Sequence, residues 1–279
     1  MYRPTELFAF LEEMGLRPKK GLSQNFLTDG NILRKIVRLA EIQPQDLVLE
    51  IGSGPGALTE ALLAYPIHLL AVEKDITLAE ALQNRKNTLP GKLEVLANDF
   101  LTLPLEETLK KRLLPSQKVK IVANLPYHLT TPILAHVLPH HSLISSLTVM
   151  VQKEVAERMC GTPNTADYSS FSIFLDFYAN IDKGFPVSRH CFYPVPNVDS
   201  QVVHISLHPP PLTEPSAAQF FQLTRTAFGK RRKMLRSSLK ELYPAQKVEE
   251  ALACLQKPVS TRPQELHLTE FLALYHLLK

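Results

Sequence analysis

The chain has 279 residues, 45% hydrophobic and 21% charged, with a formal net charge of +4. This balance excludes a disordered, collagen-like or coiled-coil chain, and the length exceeds the single-domain mode of ~100 to 150 residues, so a large domain plus an accessory one is expected. No apolar stretch reaches the ~18 residues of a membrane span, and Met1 to Gly15 carries Glu6, Glu12 and Glu13 instead of a basic-then-apolar leader; a cytoplasmic protein with no membrane partner is the expectation. Cys160, Cys191 and Cys254 form no CxxC pair and read as reduced thiols, without a disulfide framework or thiolate zinc site.

In chain order, Asp29 ahead of the apolar periodicity from Ile32 to Ile42 predicts an N-capped helix. Short branched-apolar runs follow at Leu47–Ile51, His68–Glu73, Leu93–Ala97, Val119–Ala123 and Leu147–Gln152, separated by helical stretches. Parallel strands are buried on both faces and read as continuous hydrophobic runs, so these predict an α/β, doubly wound open sheet of Rossmann-like type. Ser200 to His208 alternates as an antiparallel edge strand, paired with the region from Ile181 to Val187. Four prolines between His208 and Pro215 then forbid helix and central strand, which sets a boundary between domains 1–208 and 209–279. Beyond it, Ser216 to Lys279 reads as short amphipathic helices.

The excess charge is confined to that last segment. Residues 208–279 hold eleven Lys and Arg against six acids, whereas 1–207 hold twenty against twenty-one. Arg225, Lys230, Arg231, Arg232, Lys233, Arg236 and Lys240 place seven cations in sixteen residues without one acid. A solvated helix face and a phosphate-binding patch both fit such a run. The missing i+4 acids favour phosphate.

Glu50-Ile51-Gly52-Ser53-Gly54-Pro55-Gly56 follows the first of the five strands and opens a helix. Its glycines permit a tight turn and close ligand approach, and the helix start offers free N–H groups. Glu73, at the end of the next strand, is placed to accept ribose hydroxyls, which fits a nicotinamide cofactor and S-adenosylmethionine equally. Asp99 lies 26 residues after Glu73, and Asn124 lies 25 after Asp99. Each step is one β-α unit, so all three project from the carboxyl edge of the sheet beside the glycine loop. Asp99 reads either as an acceptor for an exocyclic adenine amine, walled by Phe100, or as a helix N-cap.

Asn124-Leu125-Pro126-Tyr127 has two readings, an ordinary proline turn after a strand or the (Asp/Asn/Ser)-Pro-Pro-Tyr type signature of enzymes that methylate exocyclic base nitrogens. The second explains the residue types. An adenine N6 lone pair is delocalised into the ring, so the amine needs hydrogen-bond acceptors more than a base. The Asn124 side-chain oxygen and the Leu125 carbonyl, held by the fixed φ of Pro126, can accept both amine protons and stabilise developing positive charge, with Tyr127 stacking on the base.

Taken together, these motifs resemble the ribosomal RNA adenine N6,N6-dimethyltransferase family, the small-subunit dimethyladenosine transferases related to the erythromycin-resistance methylases. The resemblance extends to Pro18–Leu27, similar to the family's N-terminal cofactor motif, to Phe192–Ser200, similar to its Phe-x-Pro-x-Pro-x-Val element, and to Ala227–Leu239, similar to the basic helix of its small-subunit branch. Two departures stand out: His128-Leu129-Thr130 replaces the common Asn-Ile-Ser, and Lys230 stands where Gln is common.

The resemblance implies a methyltransferase domain over 1–208 and a helical RNA- or ribosome-docking domain over 209–279. It implies S-adenosylmethionine held by Asn25, Leu27, Gly52, Glu73, Asp99 and Asn124, and a target base met by Asn124, Leu125, Tyr127 and Phe192. Lys230, Arg231, Arg232, Lys233 and Arg236 would bind RNA. The expected product is dimethyladenosine on adjacent adenosines near the 3′ end of small-subunit rRNA within a ribosomal precursor, made by a monomer without metal. Three rivals remain: a large-subunit rRNA methylase of the resistance type, a non-catalytic RNA- or DNA-binding factor on the same scaffold, and a nicotinamide-dependent dehydrogenase, for which His128 is the sole catalytic candidate.

Overall fold

The computed structural model of the protein describes residues 4–18, 24–85 and 89–279. Lys19 to Ser23 of the N-terminal motif therefore lie outside the described residues. The chain divides into two compact units, residues 1–156 with 182–208, and residues 157–181 with 209–279.

The first unit opens with helix α1 (Pro4–Glu13), the short strand β1 (Phe26–Leu27) and helix α2 (Gly30–Leu39). The Asp29 carboxylate caps α2, accepting from the N–H groups of Asn31 and Ile32 at 2.8 and 3.2 Å. Alternation of strand and helix then gives β2 (Leu47–Ile51), α3 (Ala57–Leu63), β3 (His68–Glu73), α4 (Ile76–Gln83), β4 (Lys92–Ala97), α5 (Leu105–Lys110), β5 (Val119–Asn124), α6 (Thr130–Val137) and β6 (Ile144–Gln152). The five predicted strands are all present, and every residue of β2 is buried, as a strand covered on both faces must be. Helix α7 (Lys153–Met159) leads into the second unit, where α8 (Ser170–Tyr178) precedes β7 (Ala179–Val187). The first unit closes with β8 (Phe192–Tyr193) and β9 (Ser200–Leu207).

The large sheet has the order β4-β3-β2-β5-β6-β9-β7. Strands β2 to β6 are parallel, and β9 lies antiparallel to β6. Successive strands are added outward in one direction from β2 to β4 and in the other from β5 to β6, so the loops after β2 and β5 flank the switch point at which open α/β sheets bind ligands. The expected edge strand is corrected here. Ser200–Leu207 is interior, between β6 and β7, and four of its first five residues are no more exposed than those of β2. The edges are β4, with Lys92 and Glu94, and β7, with Asp182, Lys183 and Pro186, the charges and proline that keep an edge from pairing with another chain.

A two-stranded ribbon was not foreseen. β1 pairs with β8, Phe26 opposite Tyr193 and Leu27 opposite Phe192, which joins the N-terminal motif to the late Phe-Tyr-Pro element.

In the second unit, α9 (Ser216–Gly229), α10 (Leu235–Ser238), α11 (Ala245–Cys254) and α12 (Leu268–Leu278) supply the expected short helices. They do not pack alone. Glu157–Ile181, assigned by the sequence to the first domain, belongs to this unit because Phe174, Phe177 and Tyr178 of α8 join Phe220 and Phe221 of α9 in one aromatic core. Tyr168 adds a bond from its hydroxyl to the Leu266 carbonyl at 2.8 Å.

Candidate active site

A crevice at the carboxyl ends of β2, β3 and β5 is lined by Asn25, Leu27, Glu50, Gly52, Ser53, Gly54, Glu73, Asp99, Asn124, Leu125, Tyr127 and His128. Thus every expected cofactor residue reaches one cavity, as do three of the four expected to meet the base. Leu7 of α1, Gln24 and Lys74 also line it.

The loop between β2 and α3 turns through left-handed conformations at Gly52 (φ 73°) and Gly56 (φ 89°). At Gly56, the N-cap of α3, the positive φ disfavours any side chain, and a Cβ there would also require Leu82 Cδ1, 2.8 Å away, to shift. Ser53 is buried in this loop, and its hydroxyl has no hydrogen-bond partner among the described residues.

Glu73 is buried rather than a surface acid. Its two oxygens accept from the N–H groups of Gly54 and Asp75 at 2.7 and 2.8 Å, so the carboxylate shapes the glycine loop. Each oxygen retains acceptor capacity, since a carboxylate offers about four lone-pair sites. Burial raises the Glu73 carboxyl above the ordinary range, against the lowering effect of those two bonds. Glu50 is more deeply buried, accepts from Thr59 Oγ1 at 2.6 Å, and is pushed up to about 8 by burial, with Glu73 nearby adding to the rise.

Asp99 is a cap that also lines the crevice. Its carboxylate caps the short turn Phe100–Thr102 by accepting from Leu101 N–H at 3.0 Å. Lys74 Nζ binds its other oxygen at 2.8 Å and holds the carboxyl below its usual range. Phe100 is buried alongside and packs edge-on against His136, ring centres 5.7 Å apart.

Asn124 ends β5, and its amide NH2 donates to the Asn25 carbonyl at 3.2 Å. That bond fixes which end of the amide faces which way: the nitrogen is occupied, and Oδ1 accepts no bond among the described residues. Leu125 N–H is tied to the Met150 carbonyl of β6 at 3.1 Å, and Pro126 holds φ at −60°. The Tyr127 hydroxyl bonds to Ser200 Oγ at 2.8 Å, which anchors the far end of the ring, and burial raises its phenol further above neutrality.

Phe192 does not meet the crevice. It is 3% exposed, lies in the β1–β8 ribbon opposite Leu27, and packs in the core with Ile36 and Leu58. Its neighbour Tyr193 is half-buried, edge-on to Phe8 of α1 at 4.5 Å. Leu7, Ser53 and Lys74 were missed by sequence reasoning. Leu7 and Leu11 recur at i and i+4 on α1, a helical signal that was legible; Ser53 and Lys74 carry no periodic signal.

The expected basic helix is also corrected. α9 ends at Gly229, and Lys230 to Met234 form the connection to α10, closed by a bond from Lys233 N–H to the Lys230 carbonyl at 2.8 Å. Arg231 is turned onto the carbonyls of Thr165 and Ala166. Acids distant in sequence neutralise part of the run: Lys230 pairs with Glu241 at 2.7 Å and Arg236 with Glu249 at 2.6 Å. Arg232 and Lys233 have no ion pair among the described residues.

A parallel sheet with its switch point at a glycine loop, an acid at the end of the neighbouring strand and an Asn-Leu-Pro-Tyr turn across the crevice define a Rossmann-like methyltransferase. Residues 15–275 match the model of the family described as ribosomal RNA adenine dimethylase, and the chain belongs to that family. It is 54% identical over 276 residues to the ribosomal RNA small subunit methyltransferase A of Protochlamydia amoebophila (strain UWE25), covering 99% of this chain and 96% of that one. Among solved structures it is similar to a dimethyladenosine transferase from Plasmodium falciparum, with TM-score 0.73, 26% identity, and 89% and 95% of the two chains covered. It is also similar to the 23S rRNA methyltransferase ErmE, with TM-score 0.68, 26% identity, and 91% and 99% covered. The enzyme uses S-adenosylmethionine.

Proposed function

We propose that the chain methylates N6 of two adjacent adenosines near the 3′ end of small-subunit (16S) rRNA, giving N6,N6-dimethyladenosine during small-subunit maturation. The observation that carries this reading is the Asn124 amide, held by the Asn25 carbonyl so that Oδ1 is the free acceptor at the mouth of the β5 turn.

The crevice suits the cofactor. Its unpartnered Ser53 hydroxyl, the spare acceptor sites of Glu73 and a wall of two buried acids match a ligand with ribose hydroxyls and positive charge. Glu73 would hold the ribose, Asp99 the adenine amine, and Gly52, Asn25 and Leu27 the remainder. Bound there, S-adenosylmethionine supplies an electrophilic methyl group on a sulfonium.

The protein's part is positioning and electrostatics. Asn124 Oδ1 and the Leu125 carbonyl accept the protons of the target amine, align its lone pair and stabilise the charge that develops on nitrogen. After one methyl is added, one acceptor holds the remaining proton while the other faces the new group. Tyr127, its hydroxyl tied to Ser200, offers its ring to the extruded base. Phe192 supports Leu27 from the core and takes no part in stacking.

The basic residues of the second unit, Lys230 to Lys233 and Arg236, would bind rRNA phosphates within a ribosomal precursor. A monomer working in the cytoplasm without metal completes the reading; no described helix is long and apolar enough to cross a membrane.

The test is mass spectrometry of ribosomal RNA incubated with purified protein and labelled cofactor. Dimethyladenosine at two adjacent small-subunit positions is expected. Label in large-subunit RNA would favour the resistance-type reading, and no label would favour the non-catalytic one.

A further inference from the structure

Glu50 touches neither the ribose nor the target amine in the reading above, yet it is among the most buried charged side chains of the described residues, 1% exposed on the wall of the crevice. Beside it on that wall stands Glu73, 6% exposed. Among the described residues no Lys, Arg or His side chain bonds to either acid, and Lys74, the nearest cation in sequence, is engaged by Asp99 at 2.8 Å. Past Glu73 lies Asp75, another buried acid, at the head of α4. From α3 the contact is the neutral hydroxyl of Thr59, and β5 contributes the neutral Asn124 to the lining.

Two buried carboxylates in each other's field, with no cation bonded to either among the described residues, cannot both be ionised cheaply. The donors decide which one keeps a proton. Glu73 receives backbone N–H bonds from Gly54, Asp75 and Lys74, which favour its charged form; Glu50 receives bonds from Thr59 alone, through its hydroxyl and its N–H, and is the more deeply buried of the two. Glu50 is therefore the acid that is neutral while the crevice holds no cation. S-adenosylmethionine brings positive charge on its sulfonium and its amino group.

We propose that Glu50 releases its proton to solvent as the cofactor binds: a carboxylic acid in the free protein, a carboxylate facing the ligand's positive charge in the complex. This rests on the cofactor occupying the crevice lined by Glu50 and Glu73. The O–H bond of Glu50 breaks, the proton passes to the buffer, and no other bond changes. The same acidic wall is a specificity device. It accepts a cationic cofactor and repels the pyrophosphate of a nicotinamide dinucleotide, although the glycine loop alone would admit either.

The experiment is isothermal titration of the full chain with S-adenosylmethionine at pH 7 in buffers of different ionisation enthalpy, with no RNA and no turnover. Binding is expected to release close to one proton in the wild type, and affinity to rise by up to about tenfold per pH unit toward pH 8 before levelling. Glu50→Gln, which preserves the Thr59 bond, should abolish the release and flatten the profile. S-adenosylhomocysteine separates the charges: release with both ligands assigns the partner as the amino group, and release with S-adenosylmethionine alone as the sulfonium. Wild-type binding without proton exchange overturns the proposal while leaving the cofactor site intact. Release that persists in Glu50→Gln overturns it in favour of Glu73, and absence of any binding overturns both.

Discussion

The crevice at the strand ends and the basic run of the second unit are both polar, but they are built in opposite ways. In the crevice, polar side chains are buried or half-buried and held in place: Glu73 accepts from backbone N–H groups, Asn124 donates to the Asn25 carbonyl and so leaves Oδ1 free, and Tyr127 is tied to Ser200. In the basic run, cations are exposed, and two are answered by distant acids at ordinary ion-pair distance. Fixed dipoles in a low-dielectric site are strong and directional, whereas exposed charges are screened within ~10 Å at 0.1 M salt. The crevice is thus suited to chemistry that tolerates little misplacement, and the basic run to adhesion that tolerates a good deal.

Asn124→Ala should expose that difference most sharply. Removing a preorganised acceptor should lower kcat on the order of a hundred- to a thousandfold, while S-adenosylmethionine affinity stays within a few-fold. Equal loss of both would mean that Asn124 serves the cofactor. Tyr127 comes next. Tyr127→Ala removes a stacking face, a loss of ~1 to 3 kcal/mol seen in RNA affinity and kcat, whereas Tyr127→Phe removes only the Ser200 bond and should retain most activity. If the two variants are equally impaired, the hydroxyl and not the ring is the functional part.

Glu73→Ala should raise the cofactor dissociation constant by about ten- to a hundredfold, the scale of hydrogen bonds made by a charged group, by withdrawing the ribose acceptor and orphaning Gly54 N–H. Calorimetry at pH 7 checks it. An unchanged constant removes Glu73 from the cofactor set and leaves it as scaffold for the loop.

The five parallel strands, the glycine loop and the spacing from Glu73 to Asp99 to Asn124 were legible because a buried parallel strand writes itself as an unbroken apolar run and each β-α unit has nearly constant length. What escaped notice depends on contacts between distant segments. The pairing of Ser200–Leu207 with β7 was expected, but not the ladder with β6 on its other side, which makes the strand interior. Phe192 sits in a motif that resembles a base-stacking element, yet two residues of pairing with β1 turn it into the core. The run from Lys230 to Arg236 has no acid at i+4 spacing, and the acids that answer it, Glu241 and Glu249, lie 11 and 13 residues beyond their partners, out of reach of a local pattern.

Those two ion pairs frame the smallest effects and the clearest test of the basic run. Arg232→Ala and Lys233→Ala, which remove cations without an ion pair among the described residues, should each reduce the slope of log affinity for rRNA against log salt by about 0.7 to 0.9. Lys230→Ala should do less, because its charge is already answered by Glu241. Glu241→Gln then acts in the opposite direction. It frees Lys230 without moving the backbone, and since an exposed, solvent-screened pair contributes little, rRNA binding should tighten only slightly, with a steeper salt slope. If Glu241→Gln instead leaves both affinity and slope unchanged while Arg232→Ala lowers them, phosphate contact is confined to the unpaired cations, and Lys230 belongs to the packing of the turn.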